Sequence, residues 1–160
     1  MKEGGADMLR YHNITKDDML NGDGIRVVLW VAGCSHHCGG CQNPITWNPE
    51  GGIPFDEAAK EEIWEQLSKD YISGITFSGG DPLFIGHRNE ITYLAKEIKD
   101  RFPDKSIWLY TGYQYGDIAD LEICQYIDVL VDGKFEKELL DTSLEWRGSS
   151  NQNVIVVKKI

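Results

Sequence analysis

The chain has 160 residues and a mass of 18.1 kDa, enough for one domain with a substantial core and short for two. Its 26 acidic against 16 basic residues leave a net charge of −10, which repels a phosphate backbone and argues against a nucleic-acid partner. No run approaches the roughly 18 apolar residues of a membrane span, and the Gly-x-x-x-x-Gly-Lys-Ser/Thr loop that cradles nucleotide phosphates is absent.

The opening stretch MKEGGADMLRYHNITKDDML mixes charge and polarity and lacks the apolar run of a signal peptide. It predicts a cytoplasmic protein, where thiols stay reduced and clustered cysteines hold metal more often than they form disulfides. Residues 1–7, ahead of Met8, read as a natural or added extension of a single domain spanning 1–160.

Gly24 to Val31 is apolar and β-branched almost throughout, which predicts a strand buried on both faces of a parallel sheet. A Pro/Gly/Asn-rich loop covers Asn43 to Pro54. Asp56 is then placed to cap a helix with Ala59, Ile63, Trp64 and Leu67 at helical spacing. A second strand, Ile72 to Ser78, stops at Gly79-Gly80. Asn89 is the candidate cap of a helix carrying Ile91, Leu94, Ala95, Ile98 and Phe102, with Pro103 just beyond. Ile107 to Tyr110 predicts a strand, Ile118 to Ile127 a helix, Val129 to Val131 a strand and Val154 to Val157 a last strand.

This alternation predicts an α/β fold with a parallel sheet of five or six strands and right-handed crossovers. A closed eightfold barrel takes about 250 residues, so a curved sheet of this length would be a partial (βα) barrel. The loops Gly33–Asn43, Ser78–Pro82, Thr111–Tyr113 and Asp132–Lys134 each follow a predicted strand. In parallel α/β sheets the strand C-terminal ends line the ligand crevice, so the four loops are expected at one site.

The first of them, GCSHHCGGCQN, holds three of the four cysteines within eight positions: Cys34, Cys38 and Cys41, spaced C-x3-C-x2-C. Soft thiolates suit zinc or iron–sulfur clusters. Three thiolates would leave one iron of a four-iron cluster with an exchangeable position. A Cys3His zinc site using His36, His37 or Cys124 is the competing reading, and an unligated trio the third. Cys124, on the apolar side of a predicted helix, reads as a small buried hydrophobe. In isolation, Gly79-Gly80-Asp81-Pro82 reads as a turn.

Taken together, "NGDGIRVVLWVAGC", "CGGCQNPITW", "SGGDPL", "IWLYTGY", "VLVDGKF" and "WRGSSNQ", in order from Asn21 to Gln152, resemble the radical S-adenosylmethionine superfamily. Within it they are most similar to the activases of anaerobic ribonucleoside-triphosphate reductase. Gly40, where an aromatic residue is common in the superfamily, and Asp81, where Glu is common, resemble this subgroup.

The resemblance implies that Cys34, Cys38 and Cys41 bind three irons of a 4Fe-4S cluster and that S-adenosylmethionine chelates the fourth. It implies reductive cleavage of the sulfonium to a 5′-deoxyadenosyl radical, which takes hydrogen from a glycine Cα of the reductase large subunit. Gly40, Cys41, Gln42, Gly79, Gly80 and Asp81 would lie against S-adenosylmethionine, with Thr111, Gly112 and Tyr113 near its methionine or adenosine part. A low-potential, flavodoxin-like electron donor is implied as well. Another glycyl-radical enzyme, such as a pyruvate formate-lyase, is the alternative partner, and a non-catalytic zinc module the alternative class.

Overall fold

A computed structural model of the chain describes residues 9–33, 51–134, 136–141, 143–144, 146–147 and 149–157. Seven strands form one mixed sheet: β1 (Arg10–Asp18), β2 (Arg26–Val31), β3 (Ile53–Pro54), β4 (Gly74–Gly79), β5 (Ser106–Tyr110), β6 (Val129–Asp132) and β7 (Asn153–Val156). Their spatial order is β3-β1-β2-β4-β5-β6-β7. The pairs β2–β4, β4–β5 and β5–β6 are parallel, whereas β1 runs antiparallel to both β2 and β3, and β7 antiparallel to β6.

The expectation of a wholly parallel partial barrel is corrected accordingly: a parallel centre of four strands is flanked by antiparallel ones. β7 reverses because Asn153 re-enters beside Asp132, at the end of the sheet where β6 stops. Without a crossover returning the chain to the far end, the next strand can only run back.

α1 (Glu57–Leu67) and α2 (Arg88–Arg101) cover one face. The Asp56 carboxylate accepts a hydrogen bond from Ala59 N at 3.0 Å, as its position predicts. α2 begins earlier than expected, with His87 at its cap and Asn89 inside the helix. The apolar stripes Ala59, Ile63, Trp64, Leu67 and Ile91, Leu94, Ala95, Ile98 join Val27, Leu29, Val31, Ile75, Phe77, Ile107, Leu109 and Leu130 in one core. Complete burial of each Leu, Ile or Phe contributes about 1.5–3 kcal/mol, so this face carries most of the stability.

The predicted helix Ile118–Ile127 is broken. α3 (Tyr115–Ile118) ends, Leu121 is extended, and a 3-10 turn follows over Glu122–Gln125. The break lets Ile118, Ile123 and Ile127, all buried, reach the core from a segment whose spacing would rotate them apart on one continuous helix. Cys124 is buried as expected, its thiol donating to the Ile118 carbonyl at 3.3 Å.

Strand alternation sends Arg26, Val28, Trp30, Thr76, Ser78, Trp108, Tyr110 and Val131 to the opposite face. Its lower half, near the strand N-termini, is filled. Arg26, 1% exposed, donates to Thr76 Oγ1 and to the carbonyls of Asp23, Ile75 and Ser106, and lies over the Trp108 ring. Trp146 packs edge-on against Trp108 with ring centroids 4.9 Å apart. The upper half is more open, with Trp30, Ser78 and Tyr110 only half-buried. No helix among the described residues is long and apolar enough to cross a membrane.

Candidate functional site

Each central strand ends at the same edge, and the residues that follow are joined into a hydrogen-bonded rim. The Gly33 carbonyl accepts from Asp81 N at 2.7 Å, and the Val31 carbonyl from Gly80 N at 2.8 Å. Gly79 makes this approach possible. Its φ of +99° disfavours an L side chain, and a Cβ there would stand 2.5 Å from both Val31 N and Val31 O. The SGGDPL stretch is therefore a turn, as its composition alone suggests, and also a close junction between β4 and the end of β2.

Asp81 is 1% exposed and turns its carboxylate inward. Oδ1 accepts from Leu83 N at 2.9 Å and from the Thr111 hydroxyl at 2.8 Å, while Oδ2 accepts from Gly112 N at 2.9 Å. Thr111 Oγ1 in turn accepts from Tyr113 N at 3.2 Å. The Tyr113 carbonyl accepts from Gly133 N, and the Gly133 carbonyl from Gln152 Nε2 at 2.9 Å. The rim thus runs from the end of β2 to the start of β7. Asp132, 3% exposed, braces it from below, accepting from Tyr115 N at 2.9 Å and from the Asn153 amide and side chain at 3.2 Å.

Two residues not singled out from the sequence belong here. His87 is buried, and its Nε2–H donates to the Asp81 carbonyl at 2.9 Å. Burial holds its pKa below the ordinary histidine value, opposed by the Asp81 carbonyl and charge. Tyr110, the last residue of β5, is on the face opposite the core, and its buried hydroxyl has no hydrogen-bond partner among the described residues. Burial raises its pKa beyond the usual phenol range; Asp18 adds to the shift and Arg26 opposes it. Tyr110 lies within the quoted IWLYTGY stretch, but nothing in the sequence separates it from a core aromatic.

Of the predicted cofactor contacts, the structure brings Gly79, Gly80, Asp81 and Thr111 together. Cys34, Cys38, Gly40, Cys41 and Gln42, like His36, His37 and Trp47, lie outside the described residues. The flanks of that segment are described. Ala32 N donates to the Arg10 carbonyl, and the Arg10 guanidinium donates to the carbonyls of Gly51 and Gly52 at 3.1 and 2.8 Å. Residue 34 therefore follows in sequence a glycine bonded to the Asp81 turn. The three thiols of the segment that follows are soft ligands of the kind that suit an iron–sulfur cluster.

Comparison with known proteins reaches the same class. A family model described as a 4Fe-4S single cluster domain matches residues 20–155. A relative from Enterobacteria phage T4, named anaerobic ribonucleoside-triphosphate reductase-activating protein, is 49% identical over 146 residues, covering 91% of this chain and 93% of the relative. Proteins of the same name from Escherichia coli K12 and Vibrio cholerae serotype O1 are 43% identical over 150 residues and 40% over 148, covering 91% and 90% of this chain and 97% and 96% of the relatives. The chain belongs to the family of anaerobic ribonucleoside-triphosphate reductase-activating proteins.

Proposed function

We propose that this chain activates the large subunit of an anaerobic ribonucleoside-triphosphate reductase by radical S-adenosylmethionine chemistry, in the cytoplasm. The supporting observation is the rim: the glycine that leads into the cysteine motif is bonded to the Gly79-Gly80-Asp81 turn at 2.7 Å. In this reading Cys34, Cys38 and Cys41 would hold three irons of a 4Fe-4S cluster, leaving the fourth open to S-adenosylmethionine. When bound, the reduced cluster and S-adenosylmethionine would supply one-electron cleavage of the sulfonium to methionine and a 5′-deoxyadenosyl radical able to take hydrogen from a glycine Cα of the reductase.

The chain's own residues position and enclose. Gly40, Cys41 and Gln42 lie against S-adenosylmethionine from the cysteine side. Gly79 and Gly80 offer backbone groups to its polar end, with Asp81 and Thr111 supporting them from the rim. Cys124, buried against Ile118, stays outside the chemistry. The reducing electron comes from a low-potential, flavodoxin-like donor.

The test is anaerobic reconstitution with iron and sulfide, followed by reduction in the presence of S-adenosylmethionine. Release of 5′-deoxyadenosine, and an electron paramagnetic resonance signal of a glycyl radical on added reductase, are expected. Cys34→Ala, Cys38→Ala and Cys41→Ala should each abolish release, while Cys124→Ala should keep nearly full iron. Tight zinc with no iron and no 5′-deoxyadenosine would favour the zinc module, and a radical only on an added pyruvate formate-lyase would change the partner.

A further inference from the structure

Resting on the function just proposed, we infer that Asp81 and Thr111 form a latch that positions the S-adenosylmethionine site, and that neither side chain is itself a ligand of the methionine ammonium. Asp81 is the attractive candidate for that charge, as a carboxylate in a glycine-rich turn. Its geometry points elsewhere. Both carboxylate oxygens face protein donors: Leu83 N on its own turn, and the Thr111 hydroxyl and Gly112 N on the loop after β5. At 1% exposure the carboxylate is turned into the protein. The Thr111 hydroxyl has one proton, and it is donated to Asp81 at 2.8 Å; the oxygen then accepts Tyr113 N. Two residues expected to touch the cofactor are instead each other's partners.

The consequence is mechanical. Asp81 N holds Gly33, the Asp81 carbonyl holds His87 at the head of α2, and the Asp81 carboxylate holds the loop after β5. One residue therefore sets the spacing among three segments: the residue leading into the cysteines, the diglycine turn and the Thr111-Gly112 loop. Charge-assisted bonds to buried backbone amides are the strong class, so the spacing is stiff. The ammonium is then met by groups that the latch places, such as the backbone of the diglycine turn.

The experiment uses the reconstituted holoprotein and two probes: S-adenosylmethionine and its analogue with hydrogen in place of the amino group. Binding is measured by equilibrium dialysis, alongside the perturbation of the cluster's resonance signal by S-adenosylmethionine. With a latch, Asp81→Asn weakens both probes by the same factor, about tenfold for one or two lost charge-assisted bonds. Thr111→Val does likewise, the double variant is no worse than the weaker single one, and Thr111→Ser, which keeps the hydroxyl, restores affinity and signal to within about twofold of wild type. Asp81→Asn weakening only the probe that carries the ammonium, or additive losses in the double variant, would overturn the latch while leaving the proposed function intact. Wild-type protein that loads iron yet binds neither probe would remove the proposed function and the latch with it.

Discussion

His87 shows what a single buried side chain contributes to the rim. It donates from Nε2 to the Asp81 carbonyl and is 4% exposed, so its neutral form is the one the fold accommodates. With the folded pKa depressed by burial, the unfolded chain binds the proton first as the solution is acidified. Its contribution is therefore intact above the unfolded value of about 6.5 and is lost as pH falls below it, levelling off beneath the folded pKa. Denaturation midpoints between pH 7.5 and 5 should fall more steeply for wild type than for His87→Gln, which keeps a donor but cannot charge; parallel slopes would refute this. Gly79 is less forgiving. Alanine there meets Val31 backbone at 2.5 Å at a φ of +99°, and the dihedral alone costs about 1–3 kcal/mol. Gly79→Ala should lower the thermal midpoint markedly whether or not a cluster is present.

At the scale of elements, β1 matters more than its sequence suggests. It lies between β2 and β3, and Arg10 at its head bonds Ala32 on one side and Gly51 and Gly52 on the other. It thereby joins the two flanks of the cysteine segment. Arg10→Ala removes two side-chain bonds, about 1–2 kcal/mol together, and should speed loss of iron to a chelator by several-fold to tenfold. Unchanged iron retention would show that the flanks are held by other means. β1 is hard to read in advance because RYHNITKDD has no apolar alternation: its partners supply backbone bonds, and of its residues only Tyr11 is buried. β3 has two residues and no pattern to detect. The central strands were legible, since runs such as RVVLWV are buried on both faces, and so was the gathering of the glycine and aspartate loops at one edge. What each side chain does at that edge was not: inward and outward carboxylates look identical in sequence, and the Thr111 hydroxyl that Asp81 engages sits 30 residues away.

Across the whole molecule, two ends of one sheet serve different purposes. The rim end carries the loops, and the opposite end is locked around Arg26. Burial lowers the Arg26 pKa to about 10, with Asp128 and Asp23 opposing the shift, so the guanidinium stays charged at neutral pH. Its bonds tie the β1–β2 connection to β4 and β5. Arg26→Met would strand those carbonyls and should cost about 2–4 kcal/mol, or roughly 4–16 °C in melting temperature. A loss confined to activity, with unchanged melting, would contradict this division of labour. The Trp108–Trp146 pair has a further use. Two indoles held 4.9 Å apart at 78° couple their electronic transitions, so this pair is a built-in optical gauge of whether the C-terminal stretch is seated. A circular-dichroism couplet that disappears in Trp146→Phe would report that seating in protein without iron, separately from any signal of the cluster.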